Sequence, residues 1–367
     1  MKITVLQENL KHGLSTVSLA VSSRSVLPVL SNVLAATENG RLRLSATDLE
    51  MSITCWIGAT IEREGAATVP ARTFFDLVGT LPPDAISLDY DKAAFSMRLQ
   101  CGSTKTRLNC ISAEEYPPLP TVEGEGVQIN VDVLVDMIRR TTFSASSDMA
   151  RPVIGGILVE VSEDTITFAS ADGFRLSECT AKLSSPVSEP ISALIPAKAL
   201  DNLMRILGNR ESVTITFDEG RVHFRAQDVE LNTQLIEGEF PEYQQIIPGA
   251  YTTQTVVSTD ALEKACGQAG IFTRNDSFVA TLNIAADTVE VFGQDEELGS
   301  NRTRVETITE GPEIQIAFNT RYLQDALGVI QTPNVALEVT DPDKPGVIRP
   351  VGDDQFLHVI MPMNLNK

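Results

Sequence analysis

Cysteine, histidine, aromatic and basic side chains are all scarce in this chain of 367 residues, and each shortage excludes something. The five cysteines (Cys55, Cys101, Cys110, Cys179, Cys266) are odd in number and far apart, with no CxxC pair. That argues against a disulfide framework or a cysteine zinc site, and reduced thiols are the expectation. The three histidines, His12, His223 and His358, stand at no metal-ligand spacing from Cys, Asp or Glu, so they read as surface or packing residues and no metal is expected. Nowhere do about 18 apolar residues follow one another, and the opening MKITVLQENLKHG lacks the apolar run of a signal peptide. A soluble, cytoplasmic protein with no membrane contact is expected. There is no GxxxxGK[ST] loop, no GxGxxG after a strand and no GxSxG elbow, so nucleotide cofactors and the common hydrolase chemistries find no support. Finally, 29 basic residues against 49 acidic ones give a net charge of -20. On its face this argues against nucleic acid, because phosphate binding normally shows as excess Lys and Arg.

What is present is repetition. The stretch VPARTFFDLVGTLP from Val69, a strand end running into a short helix, returns as IPAKALDNLMRIL from Ile195 and as IAFNTRYLQDAL from Ile316. Three stretches, each a short strand followed by an amphipathic helix, begin at Ile3, Ile129 and Thr255. Apolar residues fall at helical spacing in each: Leu10, Leu14 and Val17, then Leu134, Met137 and Ile138, then Leu262, Cys266 and Ala269. An acidic corner between strands recurs at Asp48, Asp172 and Asp295, and each unit closes with a strand that meets proline. Landmarks agreeing at one period of about 120 to 126 residues indicate three tandem copies of one fold, with turn-rich boundaries at TVEGEGV and PGAYTTQT. The expected domains are 1–122, 128–248 and 255–367. Each copy should hold about eight strands and two helices, an α+β class of helices packed on sheets.

The residues MKITV, Asp48-Leu49-Glu50 after Ala46-Thr47, Val69-Pro70-Ala71-Arg72, SADGFRL from Ser170, FPEYQQIIP and the terminal VIMPMNL together resemble the bacterial DNA polymerase III beta subunit family, the sliding clamps. The resemblance is colinear over essentially the whole chain. It implies a head-to-tail homodimer, a ring of six similar domains with helices lining a pore around double-stranded DNA. Such a ring confers processivity without catalysing anything. The implied partners are duplex DNA, read without sequence preference, the catalytic subunit of DNA polymerase III and a separate clamp loader complex. Other clamp-motif proteins of translesion synthesis, mismatch repair and ligation are implied as well, as is a bacterial cytoplasmic, nucleoid-associated location.

The charge objection is then answered from the sequence. Six expected helical windows, 8–24, 72–80, 132–140, 198–210, 260–274 and 321–327, hold eleven basic residues against eight acids, a mildly basic lining inside an acidic rim. By the resemblance, DNA-facing residues are Arg24, Arg72, Arg139, Arg140, Lys198 and Arg205, together with Arg151 in the loop 146–153. In that loop Pro152 and Val153 replace aromatic positions of some relatives, which weakens the case for stacking on single strands. A groove for short partner peptides is implied at Ile154, Ala171, Gly173, Phe174, Arg175, Leu176, Pro241, Gln245, Ile246, Val359, Met361, Pro362, Met363 and Leu365. Its methionines and aliphatic groups suit varied ligands. The dimer contact is implied between Ile271 and Phe272 of one chain and Lys105, Thr106 and Arg107 of the other.

Three groove positions depart from the family pattern: Phe174 where histidine is common, Gln245 where arginine often occurs, and Asn364 in place of a frequent arginine. Two rival readings stand beside the clamp. Asp172 and Arg175 could serve a hydrolase, although a carboxylate without a base or metal partner makes no mechanism and Asp-Gly is a common turn. A repeat scaffold that binds proteins and never encloses DNA is the other.

Overall fold

A computed structural model describes residues 1–22, 27–121, 126–148, 150–274 and 278–364. Among them are six α-helices: α1 (Gln7–Ser18), α2 (Ala71–Thr80), α3 (Val131–Thr141), α4 (Ala197–Leu207), α5 (Thr259–Ile271) and α6 (Thr320–Leu327). Each copy contributes two, as its apolar spacing requires. In α1 the buried side chains include Leu10, Leu14 and Val17, and in α5 Leu262, Cys266 and Ala269, the residues that gave the helical period.

The helices stop where local chemistry stops them. Ser15 and Ser18 turn their hydroxyls back onto the carbonyls of His12 and Ser15, at 2.7 and 2.8 Å, and α1 ends at Ser18, well short of the expected window. Beyond α4, Gly208 takes φ +53°, the left-handed cap that halts a helix, and the Arg210 guanidinium donates to the carbonyls of Ile206 and Leu207. Asn319 caps α6 by accepting from the amides of Arg321 and Tyr322.

The strands obey one plan three times. In the first copy the antiparallel order runs Ala66–Pro70, Asn32–Glu38, Arg41–Thr47, Met51–Gly58. The second has Ile191–Pro196, Gly156–Ser162, Thr165–Ala171, Arg175–Lys182, and the third Ile314–Asn319, Val279–Ile284, Thr288–Asp295, Gly299–Glu310. The acidic corners are the same turn in each. Asp48 Oδ1 accepts from the amides of Glu50 and Met51, Asp172 Oδ1 from Phe174 and Arg175, and Asp295 Oδ1 from Glu297 and Leu298. Leu49 bears φ +80° where its counterpart Gly173 has φ +96°, so the first copy holds a leucine in a conformation that favours glycine.

Among the described residues the first copy has nine strands and the others eight each. Its extra strand, Thr60–Arg63, is the far half of a long strand broken at residue 59, and it pairs with Lys2–Leu6. In the third copy that strand stays continuous over Gly299–Glu310, and its far half pairs with Thr253–Ser258.

Contacts divide the chain into two units that cut through the middle copy: residues 1–132 with 198–235, and residues 133–197 with 236–367. The cause is that each large sheet fuses strands of two copies. In the first unit Val229–Gln234 pairs with Met51–Gly58, with Leu231 opposite Ile53. In the second, Phe356–Ile360 pairs with Arg175–Lys182, with His358 opposite Ser177. An otherwise open strand edge is closed at both joints. No helix among the described residues is long and apolar enough to cross a membrane.

Candidate functional site

The second unit brings most of the expected groove residues to one end of its sheet. Alternation along the paired strands puts Ala171, Leu176, Val359 and Val347 in one row across four strands, and Leu158, Ala169, Glu178 and Leu357 in the next. Leu176 and Val359 are not themselves a binding surface. They are buried in a cluster with Ala169, Tyr243, Val347 and Leu357, against which Leu158, Ala171, Phe240 and Ile247 pack. Above this floor stand the exposed apolar groups: Phe174 at 56%, Ile246 at 45% and Met361 at 36%. Gly173 and Pro241 are exposed beside them, while Ile154, Pro362 and Met363 are half-buried. Leu365 lies outside the described residues. The Met361 amide donates to the Phe174 carbonyl at 2.8 Å and the Met363 amide to Ala317 at 2.8 Å, which fixes the terminal segment as one wall.

Arg175 is the hub behind that wall. Its guanidinium reaches Asp172 at 3.0 Å, Asp325 at 2.5 Å and the Phe143 carbonyl at 2.6 Å. It also lies over the rings of Tyr322, at 4.3 Å from the centroid, and Phe143. A side chain so engaged holds shape and has little donor capacity left for a ligand. Asp172 spends one oxygen on the turn and the other on Arg175, which leaves the supposed hydrolase pair fully committed to structure. The Gln245 amide, too, is spent, on Glu242.

Beneath lies His358, fully buried with Nδ1 2.9 Å from the Ser177 hydroxyl, which in turn meets Ser144 at 2.8 Å. Burial, with the Arg175 charge second, pushes its pKa down to about 3, so it is a neutral packing residue. Tyr243, Phe240, Tyr322 and Asp325 were missed by sequence reasoning. The signal for Phe240 and Tyr243 was present in the FPEYQQIIP motif; Tyr322 and Asp325, on α6, meet Arg175 only through the tertiary fold.

The expected DNA-facing residues divide. Arg72, Arg139, Arg151, Lys198 and Arg205 are exposed, with Arg151 held 3.0 Å from Asp148. Arg24 lies outside the described residues. Arg140 corrects the expectation, being only 8% exposed. It pairs with Asp136 at 2.8 Å and Asp353 at 2.7 Å and lies over Phe356, because it falls on the inner face one position after exposed Arg139. The charge balance changes as well. Within the observed helix bounds, eight basic side chains stand against eight acids, since Arg24, Arg210 and Arg274 fall outside them. The helices are neutral, not basic, in a chain whose net charge is -20.

At the proposed dimer contact, Lys105, Thr106 and Arg107 sit on Thr104–Asn109, which pairs only with Ser96–Cys101 among the described residues. Ile271, at the end of α5, is 49% exposed and Phe272 half-buried. Residues 299–306 of the long third-copy strand likewise have one paired side, toward Thr288–Asp295.

Three family models match in sequence: the DNA polymerase III beta subunit N-terminal domain over residues 1–120, the central domain over 128–242 and the C-terminal domain over 244–364. The beta sliding clamp of Synechococcus elongatus is 31% identical over 376 residues, with 100% of both chains covered. That of Bacillus subtilis is 28% identical, with 99% of each covered. Among solved structures, the Bacillus subtilis sliding clamp superposes with a TM-score of 0.95 at 27% identity and 99% coverage of both chains. The DNA polymerase III subunit beta of Pseudomonas aeruginosa gives 0.92 at 26% identity and 100% coverage.

Proposed function

Because the chain belongs to the DNA polymerase III beta subunit family and is a sliding clamp, a non-catalytic processivity factor of DNA replication, we propose that it works as a head-to-tail homodimeric ring. One observation carries this reading. Three copies make three joints between sheets; two are closed within the chain, and the halves of the third are left open on Thr104–Asn109 and on residues 299–306. Open edges invite pairing, and a heterologous contact between identical chains closes if the rotation closes. Two chains then satisfy both open joints.

The repeat supplies the register. Val229 and Phe356, the first residues of the closing strands, stand opposite Cys55 and Cys179. Carried to the third joint, the same offset sets Thr104 against Thr303, Thr106 against Asn301 and Leu108 against Gly299 of the second copy. Ile271 and Phe272 lie at this seam.

Neutral helices suit a pore that encloses duplex DNA without gripping it. Each neutralised phosphate adds roughly 0.9 to the log-log salt slope, so a sliding ring does best with few such contacts. The groove of the second unit takes partner peptides. Two apolar anchors at about 1.5 to 3 kcal/mol each, plus a few hydrogen bonds at about 1 kcal/mol net, correspond to affinities on the order of micromolar, weak enough for exchange. Its users include the polymerase catalytic subunit, an ATP-driven loader and repair proteins carrying the same short motif, all in the cytoplasm. The domains 1–122, 128–248 and 255–367 are the units of the ring.

The deciding experiment loads the protein onto nicked circular DNA with its loader. Retention on the circle in high salt and release on linearisation are expected. Equal loss from circle and linear DNA would favour the scaffold that never encloses DNA.

A further inference from the structure

We propose that this clamp selects its partner peptides by apolar side chains packed against Phe174, and that a hydrogen-bonding side chain on the peptide adds nothing to affinity. The inference rests on the groove reading above and adds what the groove selects. Phe174 is a ring 56% exposed on a backbone tied at both sides. Its amide donates to Asp172 Oδ1 at 2.8 Å, and its carbonyl accepts from the Met361 amide at 2.8 Å. Gly173 before it takes φ +96°, a turn conformation that suits glycine. Nor does the ring stand alone, because Met361 and Ile246 are the other exposed apolar groups over the buried Leu176 and Val359 floor. Apolar groups gathered in water favour a cover, and an anchor whose backbone is already fixed loses little freedom when covered.

The hydrogen-bond donors around the ring are already engaged. The Arg175 amide joins that of Phe174 on Asp172, at 3.0 Å, and the Met363 amide goes to the Ala317 carbonyl at 2.8 Å. In the loop that follows Pro241, the amides of Gln245 and Ile247 donate to the carbonyls of Glu242 and Gln244, and the Gln245 side chain donates to Glu242. Pro241 and Pro362 have no N–H to offer. The Arg175 guanidinium is divided among Asp172, Asp325 and the Phe143 carbonyl.

What the terminal wall leaves over is acceptors. Among the described residues the carbonyls of Met361 and Pro362 accept no hydrogen bond. An amide side chain on the peptide would find partners for its N–H groups and few for its carbonyl, while giving up water on both. Such an exchange comes out near zero, since a net hydrogen bond is weak and an unmatched buried polar atom is costly. An apolar side chain meets no such cost, and its removal from water is the favourable term.

The test uses the intact protein and fluorescein-labelled peptides Gln-Leu-Ser-Leu-Phe and Met-Leu-Ser-Leu-Phe, read by fluorescence anisotropy. The two are alike in charge, so any general effect of a chain with net charge -20 cancels in their ratio. The Met peptide should bind at least as tightly as the Gln peptide, and Gln245→Ala should leave both within about two-fold of the parent. Phe174→Ala should weaken both alike, by about ten-fold. A Gln peptide more than about three-fold tighter than the Met peptide overturns the proposal. So does a loss on Gln245→Ala confined to the Gln peptide, or unchanged binding to Phe174→Ala. Should neither peptide bind the parent protein, the groove reading itself falls.

Discussion

Arg140 offers the sharpest test of the difference between sequence expectation and structure. Its neighbour Arg139 is exposed on α3, whereas Arg140 is buried between Asp136 and Asp353 at 2.8 and 2.7 Å and lies 5.6 Å from the Phe356 ring centre. Replacing it by alanine leaves two carboxylates, 31% and 19% exposed, facing each other without their cation. Removing one partner of a buried ion pair costs about 3 to 5 kcal/mol. Arg139→Ala should change stability by no more than about 0.5 kcal/mol. Urea unfolding followed by circular dichroism measures both. The triple change Arg140→Met, Asp136→Asn, Asp353→Asn should recover most of the loss, because charges removed together need no compensation. Should Arg140→Ala unfold within about 1 kcal/mol of the parent and weaken DNA retention as Arg139→Ala does, the arginine faces the duplex and the packing argument is refuted.

Three further outcomes follow from the same geometry. His358, with a folded pKa near 3 against an ordinary 6.5, binds fewer protons folded than unfolded between those values, so its share of stability is full above pH 6.5 and falls as pH drops. The loss should reach about 2 kcal/mol at pH 5, and His358→Asn should flatten that slope in urea titrations; equal slopes would show that the imidazole is solvated. Cysteines at Asn301 and Thr106 should form an interchain disulfide under mild oxidation and give a covalent dimer on a non-reducing gel, while Asn301 with Arg107, one residue out of register, should react far less. Ile271→Ala with Phe272→Ala should give a soluble monomer by light scattering; an unchanged dimer mass would remove these side chains from the contact.

The three-fold repeat was readable in the sequence because strand alternation, helical spacing and turn chemistry are local, and each copy spells the same local instructions. SADGFRL announces its turn, since Asp172 needs only the two amides that follow it. The Pro70 and Pro196 joints likewise declare where an edge strand becomes a helix. What the chain does was also legible, through motifs in a shared order. The candidate groove was legible only as positions. That Leu176 and Val359 form its floor, and that Arg175 is consumed by Asp325, 150 residues away, as well as by Phe143 and Asp172, depend on contacts that only the tertiary fold makes. The same holds for Arg140, which a helical wheel places one step from an exposed neighbour but which only Asp353, 213 residues away, identifies as buried structure. Local backbone preference is fixed by neighbours in sequence; the burial and pairing of a charge depend on what the tertiary fold sets against it.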